Sequence, residues 1–145
     1  MTVAHLPIKL RPTQISDLDT LFEFQIDKEA YISKHSKLIA DPTVNNQTIL
    51  LDDVIVGSIA KFVMFDEAEI TYWIDRMYWG QGLATEALKA FLSIELMRPI
   101  FGRVAFDNFG SQKVLEKCGF EKIGSDRGFA NARHMEIEEI IYRLD

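Results

Sequence analysis

The feature that most restricts how this chain can fold is a glycine-containing segment at residues 78–85, with the sequence YWGQGLAT. The residues before it have the composition of a β-strand, whereas the apolar residues after it recur with the period of a helix. A helix that begins directly after such a loop leaves its first backbone amides without partners inside the helix. These amides and the helix dipole attract anions, and glycine lets a ligand approach the backbone closely. The segment therefore predicts a pyrophosphate site.

The glycine segment has three other interpretations. It could be a turn that binds no ligand. A Walker loop is excluded, because Gly82 is followed by Leu83 and not by lysine. A Rossmann dinucleotide site agrees poorly with the sequence, since Thr85 stands where a third glycine or an alanine is typical. The only support for the Rossmann interpretation is Asp107, which stands at a tolerable distance for the acid that binds the ribose.

The rest of the sequence predicts a mixed α/β fold. Residues 47–75 contain three β-branched and aromatic runs separated by acidic pairs, which is typical of an antiparallel meander. A strand at 8–13 and a helix with Ser16 as its N-cap precede the meander, and residues 28–46 are predicted to be irregular. After the glycine segment we predict a helix ending at Pro99, a strand at 100–106, a helix at 108–119 and strands at 120–124 and 139–145. A mixed sheet with helices on both faces accommodates this order.

Composition excludes several classes of protein. The 145 residues, 48% of them apolar and 26% charged, predict one globular domain over residues 1–145. A net charge of −6 without any basic run disfavours nucleic acid as a partner. No apolar run is long enough to span a membrane, and the N-terminus lacks the pattern of a signal peptide. With the single Cys118 and scattered histidines, we expect a cytoplasmic protein without a disulfide or a metal site.

Three blocks of sequence carry a family resemblance: EITYWID at 69–75, YWGQGLATEAL at 78–88 and NFGSQKVLEKCGF at 108–120. In this order and spacing they resemble the GNAT superfamily of N-acetyltransferases, and within it the RimJ/RimL-type branch. The resemblance covers roughly residues 8–125. It implies a GNAT-like fold, whose mixed, mostly antiparallel sheet of about six to seven strands splays at the cofactor site between Ile74 and Val104. It also implies direct acetyl transfer from acetyl-CoA to an amine in a ternary complex.

The resemblance assigns the parts of acetyl-CoA to segments of this chain. It implies that the pantetheine arm pairs with the backbone at Trp73, Ile74 and Asp75, like a neighbouring strand, and contacts Asn108. Lys113 is an expected phosphate contact. The amides implied to hold the pyrophosphate are those of Gly80, Gln81, Gly82, Leu83, Ala84 and Thr85. The chain departs from the superfamily pattern at Trp79, where glutamine or arginine is usual and tryptophan is common in this branch.

Amine acetylation needs a base for the ammonium group and a partner for the leaving thiolate. Glu69 is the first candidate base, because it begins the strand that meets the cofactor and shares a face with Thr71 and Trp73. Glu67 and Asp75 are weaker candidates. Many members of the superfamily protonate the thiolate with a tyrosine, a position that is Leu115 here, whereas the branch resemblance points to the hydroxyl of Ser111. Oxyanion stabilisation is expected from a backbone N–H beside Ile74.

The acceptor is the least readable part of the function. Family analogy suggests a protein N-terminus, while a small-molecule amine remains an alternative. Family habit also makes a homodimer plausible. Because Leu115 replaces the usual tyrosine and the base is unassigned, a catalytically silent CoA-binding module of the same fold is the alternative to an enzyme.

Overall fold

The computed structural model describes residues 8–22, 36–130 and 135–145. Its strands form one seven-stranded sheet with the order β1-β2-β3-β4-β5-β7-β6. The strands are β1 (Ile8–Pro12), β2 (Asn45–Leu51), β3 (Val54–Met64), β4 (Glu67–Ile74), β5 (Ile100–Ala105), β6 (Glu121–Ala130) and β7 (Met135–Leu144). The helices with described bounds are α1 (Leu18–Phe22), α2 (Leu83–Ile94) and α3 (Phe109–Lys117), residues 36–40 are also helical, and 3-10 turns lie at Ile15–Asp17 and Arg76–Tyr78. The predicted mixed, mostly antiparallel sheet is confirmed.

Two tight hairpins connect β2, β3 and β4. Asp52 and Asp53 form the first turn, and Phe65 and Asp66 form the second, all four with positive φ angles between 49° and 64°. A two-residue loop with positive φ at both positions matches the right-handed twist of the strands that it joins. The predicted meander is therefore confirmed.

The sheet opens between β4 and β5, its only parallel neighbours among the described strands. Pairing is limited to Ala68 with Ile100, Glu69 with Phe101 and Ile70 with Gly102. Beyond these pairs the two strands separate, so the carboxyl-terminal half of β4 has a free edge toward β5. The predicted splay between the end of β4 and the end of β5 is present.

Helices cover both faces of the sheet. The helices α2 and α3 pack over one face, where the main core includes Ile49 of β2 and Phe91 of α2. On the other face, Asp17 at the start of α1 bonds to Thr48, the neighbour of Ile49 in β2. Consecutive residues of a strand point to opposite faces, so α1 begins on the face away from α2. No helix in the described ranges is both long and apolar enough to cross a bilayer.

Three local predictions are corrected. The first helical turn begins after Gln14, not after Ser16, because the Asp17 carboxylate accepts the Gln14 N–H at 2.8 Å. The helix α2 ends at Ile94, well before Pro99, since Arg98 donates hydrogen bonds to carbonyls at its C-terminus. Residues 36–40, within the stretch predicted to be irregular, are helical. The predicted structure of residues 23–35 lies outside the described part.

An ion pair between the half-buried Arg11 and the buried Asp17 joins β1, the first helical turn and β2. Both oxygens of Asp17 accept hydrogen bonds from Arg11, at 2.6 and 2.7 Å, and the Thr48 hydroxyl donates a further one at 3.1 Å. Burial alone is the largest influence on Asp17 and favours its protonated form. The hydrogen bonds from Arg11, the Gln14 amide and Thr48 together outweigh burial and hold the pKa of Asp17 below its ordinary value.

We expect Asp17→Asn to lower the free energy of unfolding at pH 7 by about 2–3 kcal/mol, because it removes a buried carboxylate that accepts hydrogen bonds from Arg11, the Gln14 amide and Thr48. The pKa of Asp17 is lower in the folded state than in the unfolded state, where it is about 3.9, so the ionised carboxylate stabilises the fold above that pH. This stabilisation is lost as the pH falls through the folded-state pKa. The difference between wild type and variant should therefore shrink toward pH 3. Urea unfolding at pH 7 and pH 3.5 measures it. An equal loss at both pH values would contradict the assignment, and Asp66→Asn, on an exposed turn, is the control.

Candidate active site

The gap between β4 and β5 forms a cleft of about 190 Å³. The register of the paired residues places Thr71 and Arg103 on the α1 face, and Tyr72 and Gly102 on the face of α2 and α3. The residues that line the cleft are Ile70, Thr71, Tyr72, Gly102, Arg103, Val104, Ala105, Asn108, Ser111 and Leu115. Both strands and the start of α3 therefore contribute to the cleft.

The free edge of β4 offers backbone groups to the cleft. The Asp75 N–H donates to Val56 O at 2.8 Å, and the Trp73 carbonyl lies against Gly57, so both residues direct their backbone toward β3. Alternate residues of a strand bond to opposite neighbours, which leaves Tyr72 and Ile74 facing the gap. Three residues are predicted to pair with pantetheine. The backbone of Ile74 faces the gap, whereas the backbones of Trp73 and Asp75 are directed toward β3.

The glycine segment has the open geometry of an anion cradle. Gly80 and Gly82 have φ angles of +81° and +75°, and a Cβ added at either position would meet no atom within 4 Å. The first bond of α2 runs from the Glu86 N–H to the Gly82 carbonyl. The N–H groups of Leu83, Ala84 and Thr85 therefore precede the first intrahelical bond and remain at the helix start. This arrangement fits a diphosphate.

Trp79 ties the glycine segment to the end of β4. Its indole N–H donates to the Ile74 carbonyl at 2.7 Å, and the guanidinium of Arg76 lies 5.4 Å from the centre of its ring. The predicted diphosphate and pantetheine sites are thus joined by a direct hydrogen bond. This contact gives the unusual tryptophan a structural role that the motif alone did not reveal.

Ser111 lies in the first turn of α3 and lines the cleft. Asn108 is the N-cap of α3, and its side-chain oxygen accepts the Ser111 N–H at 3.2 Å. The Tyr72 hydroxyl lies 3.2 Å from Ser111 Oγ. Burial raises the pKa of Tyr72, although its hydrogen bond with Ser111 acts in the opposite direction. The sequence analysis did not single out Tyr72, because the alternation of β4 sets its face but not its partner on α3.

Leu115 forms an apolar wall of the cleft. Its side chain is 1% exposed and lies where the superfamily pattern has a tyrosine. A Cβ added at Gly102 would stand 3.2 Å from both of its terminal methyl groups, so β5 and α3 are in close contact here. The hydroxyls among the cleft's lining residues therefore belong to Thr71, Tyr72 and Ser111.

Glu69 is held by an ion pair at the narrow end of the gap. Its carboxylate is buried and accepts a hydrogen bond from Arg103 Nε at 2.8 Å, while Arg103 also lies 3.6 Å from Asp126. The hydrogen bond with Glu69 raises the pKa of Arg103, so the guanidinium remains charged. Arg103 is among the residues that line the cleft, whereas Glu69 is not. Sequence reasoning missed Arg103.

Two further residues lie at the edge of the site. Lys113 is exposed on α3. Cys118 is partly buried, and its thiol contacts the Thr85 carbonyl at 3.8 Å. Burial raises the pKa of Cys118, which keeps the thiol protonated. Among the described residues, no cluster of metal-ligating side chains is found.

Comparison with known proteins agrees with this geometry. The model of the acetyltransferase (GNAT) domain matches residues 8–121. The chain is 28% identical to the probable N-acetyltransferase YjcK of Bacillus subtilis, with 83% of each chain covered. It is 27% identical to the uncharacterized N-acetyltransferase p20 of Bacillus licheniformis, covering 94% of this chain and 92% of that one.

The fold matches solved structures of the same kind. RimL, a ribosomal L7/L12 alpha-N-protein acetyltransferase solved in complex with coenzyme A, superposes with a TM-score of 0.82 at 16% identity. The match covers 95% of this chain and 93% of RimL. With a family model that spans most of its length, this chain belongs to the acetyltransferase (GNAT) domain family.

Proposed function

We propose that this N-acetyltransferase moves the acetyl group of acetyl-CoA directly to a primary amine, with donor and acceptor bound together in the gap between β4 and β5. The observation that carries the proposal is the position of the gap. It opens at the same end of β4 at which the chain turns into the glycine segment and α2. A diphosphate held at the start of α2 therefore has a free strand edge and a cleft directly beside it.

The donor contacts follow from this geometry. The amides of residues 80–85, at the N-terminus of α2, bind the diphosphate, where the helix dipole adds to the hydrogen bonds. The pantetheine arm runs along the free edge of β4 and pairs with the backbone of Tyr72 and Ile74. Asn108 contacts pantetheine, and the exposed Lys113 supplies charge for a phosphate. RimL, which shares the fold, was solved with coenzyme A.

The acceptor enters from the α1 face, where Thr71 and Arg103 line the cleft. On this face the carboxylates of Glu69 and Asp126 pair with Arg103, and the charge of Glu139 also acts on it. Among the described residues, three carboxylates around one guanidinium make the immediate surroundings of Arg103 negative, which favours a cationic amine over an anionic one. A protein N-terminus and a small-molecule amine both satisfy this requirement.

The reaction itself is a direct transfer. The neutral amine attacks the thioester carbonyl carbon, the C–N bond forms and the C–S bond breaks with its electron pair on sulfur. Before the attack, the ammonium form of the amine gives one proton to Glu69 through water, and after the attack the nitrogen gives its second proton to water. The backbone N–H of Ile74 stabilises the oxyanion, and the hydroxyl of Ser111 donates a hydrogen bond to the leaving sulfur. A hydrogen bond suffices, because a thiol with a pKa of about 8.5 leaves readily as thiolate.

Amine-dependent release of coenzyme A thiol tests the proposal. We expect turnover with members of a panel of N-terminal peptides, polyamines and amino sugars, and none without amine. Binding of coenzyme A without turnover on any amine would instead support a silent CoA-binding module. Two observations favour this alternative: Leu115 replaces the usual tyrosine, and Glu69 is already held in an ion pair. Measuring thiol release and coenzyme A binding on the same preparation separates the two functions.

We expect Glu69→Gln to lower kcat at pH 7 by about tenfold, since a base is lost while glutamine still accepts a hydrogen bond from Arg103. The deficit should shrink as the pH rises above the pKa of the acceptor amine, because less deprotonation is then required. Asp66→Asn changes an exposed carboxylate in the turn before the same strand and is the control, which should keep the wild-type kcat. A deficit that stays constant up to pH 10 would exclude Glu69 as the base.

A further inference from the structure

We infer that Tyr72 is a positioning residue, which holds the hydroxyl of Ser111 in the orientation needed at the leaving sulfur. This inference rests on the proposed acetyl transfer. It goes beyond that transfer by assigning a role to a side chain on β4 that the proposed reaction does not use.

The Tyr72 hydroxyl contacts two oxygens of Ser111. It lies 3.2 Å from Ser111 Oγ and 3.4 Å from the Ser111 carbonyl oxygen. Because the contact with Oγ is the shorter one, the inferred arrangement has Tyr72 donating its proton to Ser111 Oγ, which can accept it. When Tyr72 donates, a lone pair of Ser111 Oγ is occupied and the serine proton is directed elsewhere. The cleft, which Ser111 and Tyr72 both line, is the adjacent space.

The backbone of α3 completes this arrangement. Asn108 accepts the Ser111 N–H, which fixes the first turn of the helix against the end of β5. Ser111 is thus held through its amide by Asn108 and through its hydroxyl by Tyr72, from two different elements. Because Ser111 is held from two sides, its hydroxyl loses less orientational freedom during the reaction than a freely rotating hydroxyl would.

The position of Tyr72 also relates to the missing tyrosine of the superfamily. Leu115 on α3 has no hydroxyl, and Tyr72 brings one to the same cleft from β4. Burial raises the pKa of Tyr72, so its proton stays on the phenol. No proton leaves Tyr72 in this account. As the C–S bond breaks, the electron pair moves to sulfur and is stabilised by the hydrogen bond from Ser111, whose own orientation Tyr72 sets.

A double-mutant cycle on kcat tests the inference. We expect Ser111→Ala to lower kcat by about 30-fold and Tyr72→Phe by about tenfold, both with unchanged KM for acetyl-CoA. If Tyr72 acts through Ser111, the double variant is no slower than Ser111→Ala alone. Tyr142→Phe is the matched control, because it removes a buried tyrosine hydroxyl that bonds Glu116 at 3.3 Å, outside the cleft. This control should keep the wild-type kcat.

The outcomes are distinct. Losses that multiply to about 300-fold in the double variant, or a Tyr72→Phe variant with wild-type kcat, would overturn the role of Tyr72 and leave the acetyl transfer intact. A wild-type protein that acetylates no amine would overturn both. If Tyr72→Phe melts below the assay temperature, Tyr72→Met, which keeps apolar bulk without a hydroxyl, takes its place in the cycle.

Discussion

Replacing Gly82 with aspartate is expected to weaken the binding of coenzyme A by about 100-fold, equivalent to about 2.7 kcal/mol. Gly82 is the N-cap of α2, and a Cβ added there would meet no atom within 4 Å. We propose that the diphosphate binds in this open space. An aspartate here sets a negative charge a few ångströms from the phosphates, which costs about 3 kcal/mol at an effective dielectric constant of about 20. Its carboxylate also bonds to the same helix-start amides that the diphosphate needs.

The asparagine variant separates charge from shape. Asparagine has nearly the same size, tolerates a positive φ as aspartate does, and caps a helix equally well. We expect Gly82→Asn to bind coenzyme A several-fold more weakly than wild type and far more tightly than Gly82→Asp. The difference between the two variants should diminish in 1 M salt, because exposed charges are screened. Equal affinities in both variants would contradict a diphosphate at this position.

Gly57→Ala is expected to lower the free energy of unfolding by about 3 kcal/mol and to abolish coenzyme A binding. A Cβ at Gly57 would lie 2.0 Å from the Trp73 carbonyl oxygen and 3.0 Å from the Ile74 Cα, both backbone atoms of β4. The clash is relieved only if β3 and β4 move apart at the stretch proposed to pair with pantetheine. Urea unfolding measures the stability, and calorimetric titration with coenzyme A measures the binding.

Gly124→Ala is the matched control for Gly57→Ala. It adds the same methyl group to a glycine of β6, where a Cβ meets no atom within 4 Å. We expect a change in the free energy of unfolding of less than about 1 kcal/mol and unchanged binding. A Gly57→Ala protein that is as stable as this control and binds coenzyme A normally would show that β3 and β4 are not as closely apposed as described.

Much of the fold is predictable from local sequence. The acidic pairs that separate strands in the meander stand at or beside turns that need positive φ, and the helical period after Gly82 locates α2. The end of α2 was predicted too late, because Arg98 caps its last carbonyls before Pro99 is reached. Such a cap depends on how the chain folds back, which periodicity does not report.

The site is less predictable, because its decisive contacts join residues that are distant in the sequence. Alternation placed Glu69 on the correct face of β4, but its partner Arg103 arrives across a parallel strand pair 34 residues later. Tyr72 and Ser111 are separated by 39 residues and meet only after α3 packs against the sheet. The backbone directions of Trp73 and Asp75 depend on the register with β3, which no motif records.

Calorimetric titration of the folded wild-type protein with coenzyme A tests the central claim most directly. If the amides at the start of α2 bind the diphosphate, the titration saturates at micromolar to millimolar concentration, the usual range for enzyme substrates. Pantetheine, which lacks the diphosphate, should bind far more weakly, and Gly82→Asp should lose most of the heat. A wild-type protein that gives no saturable heat with millimolar coenzyme A, or that binds pantetheine equally well, would contradict the account.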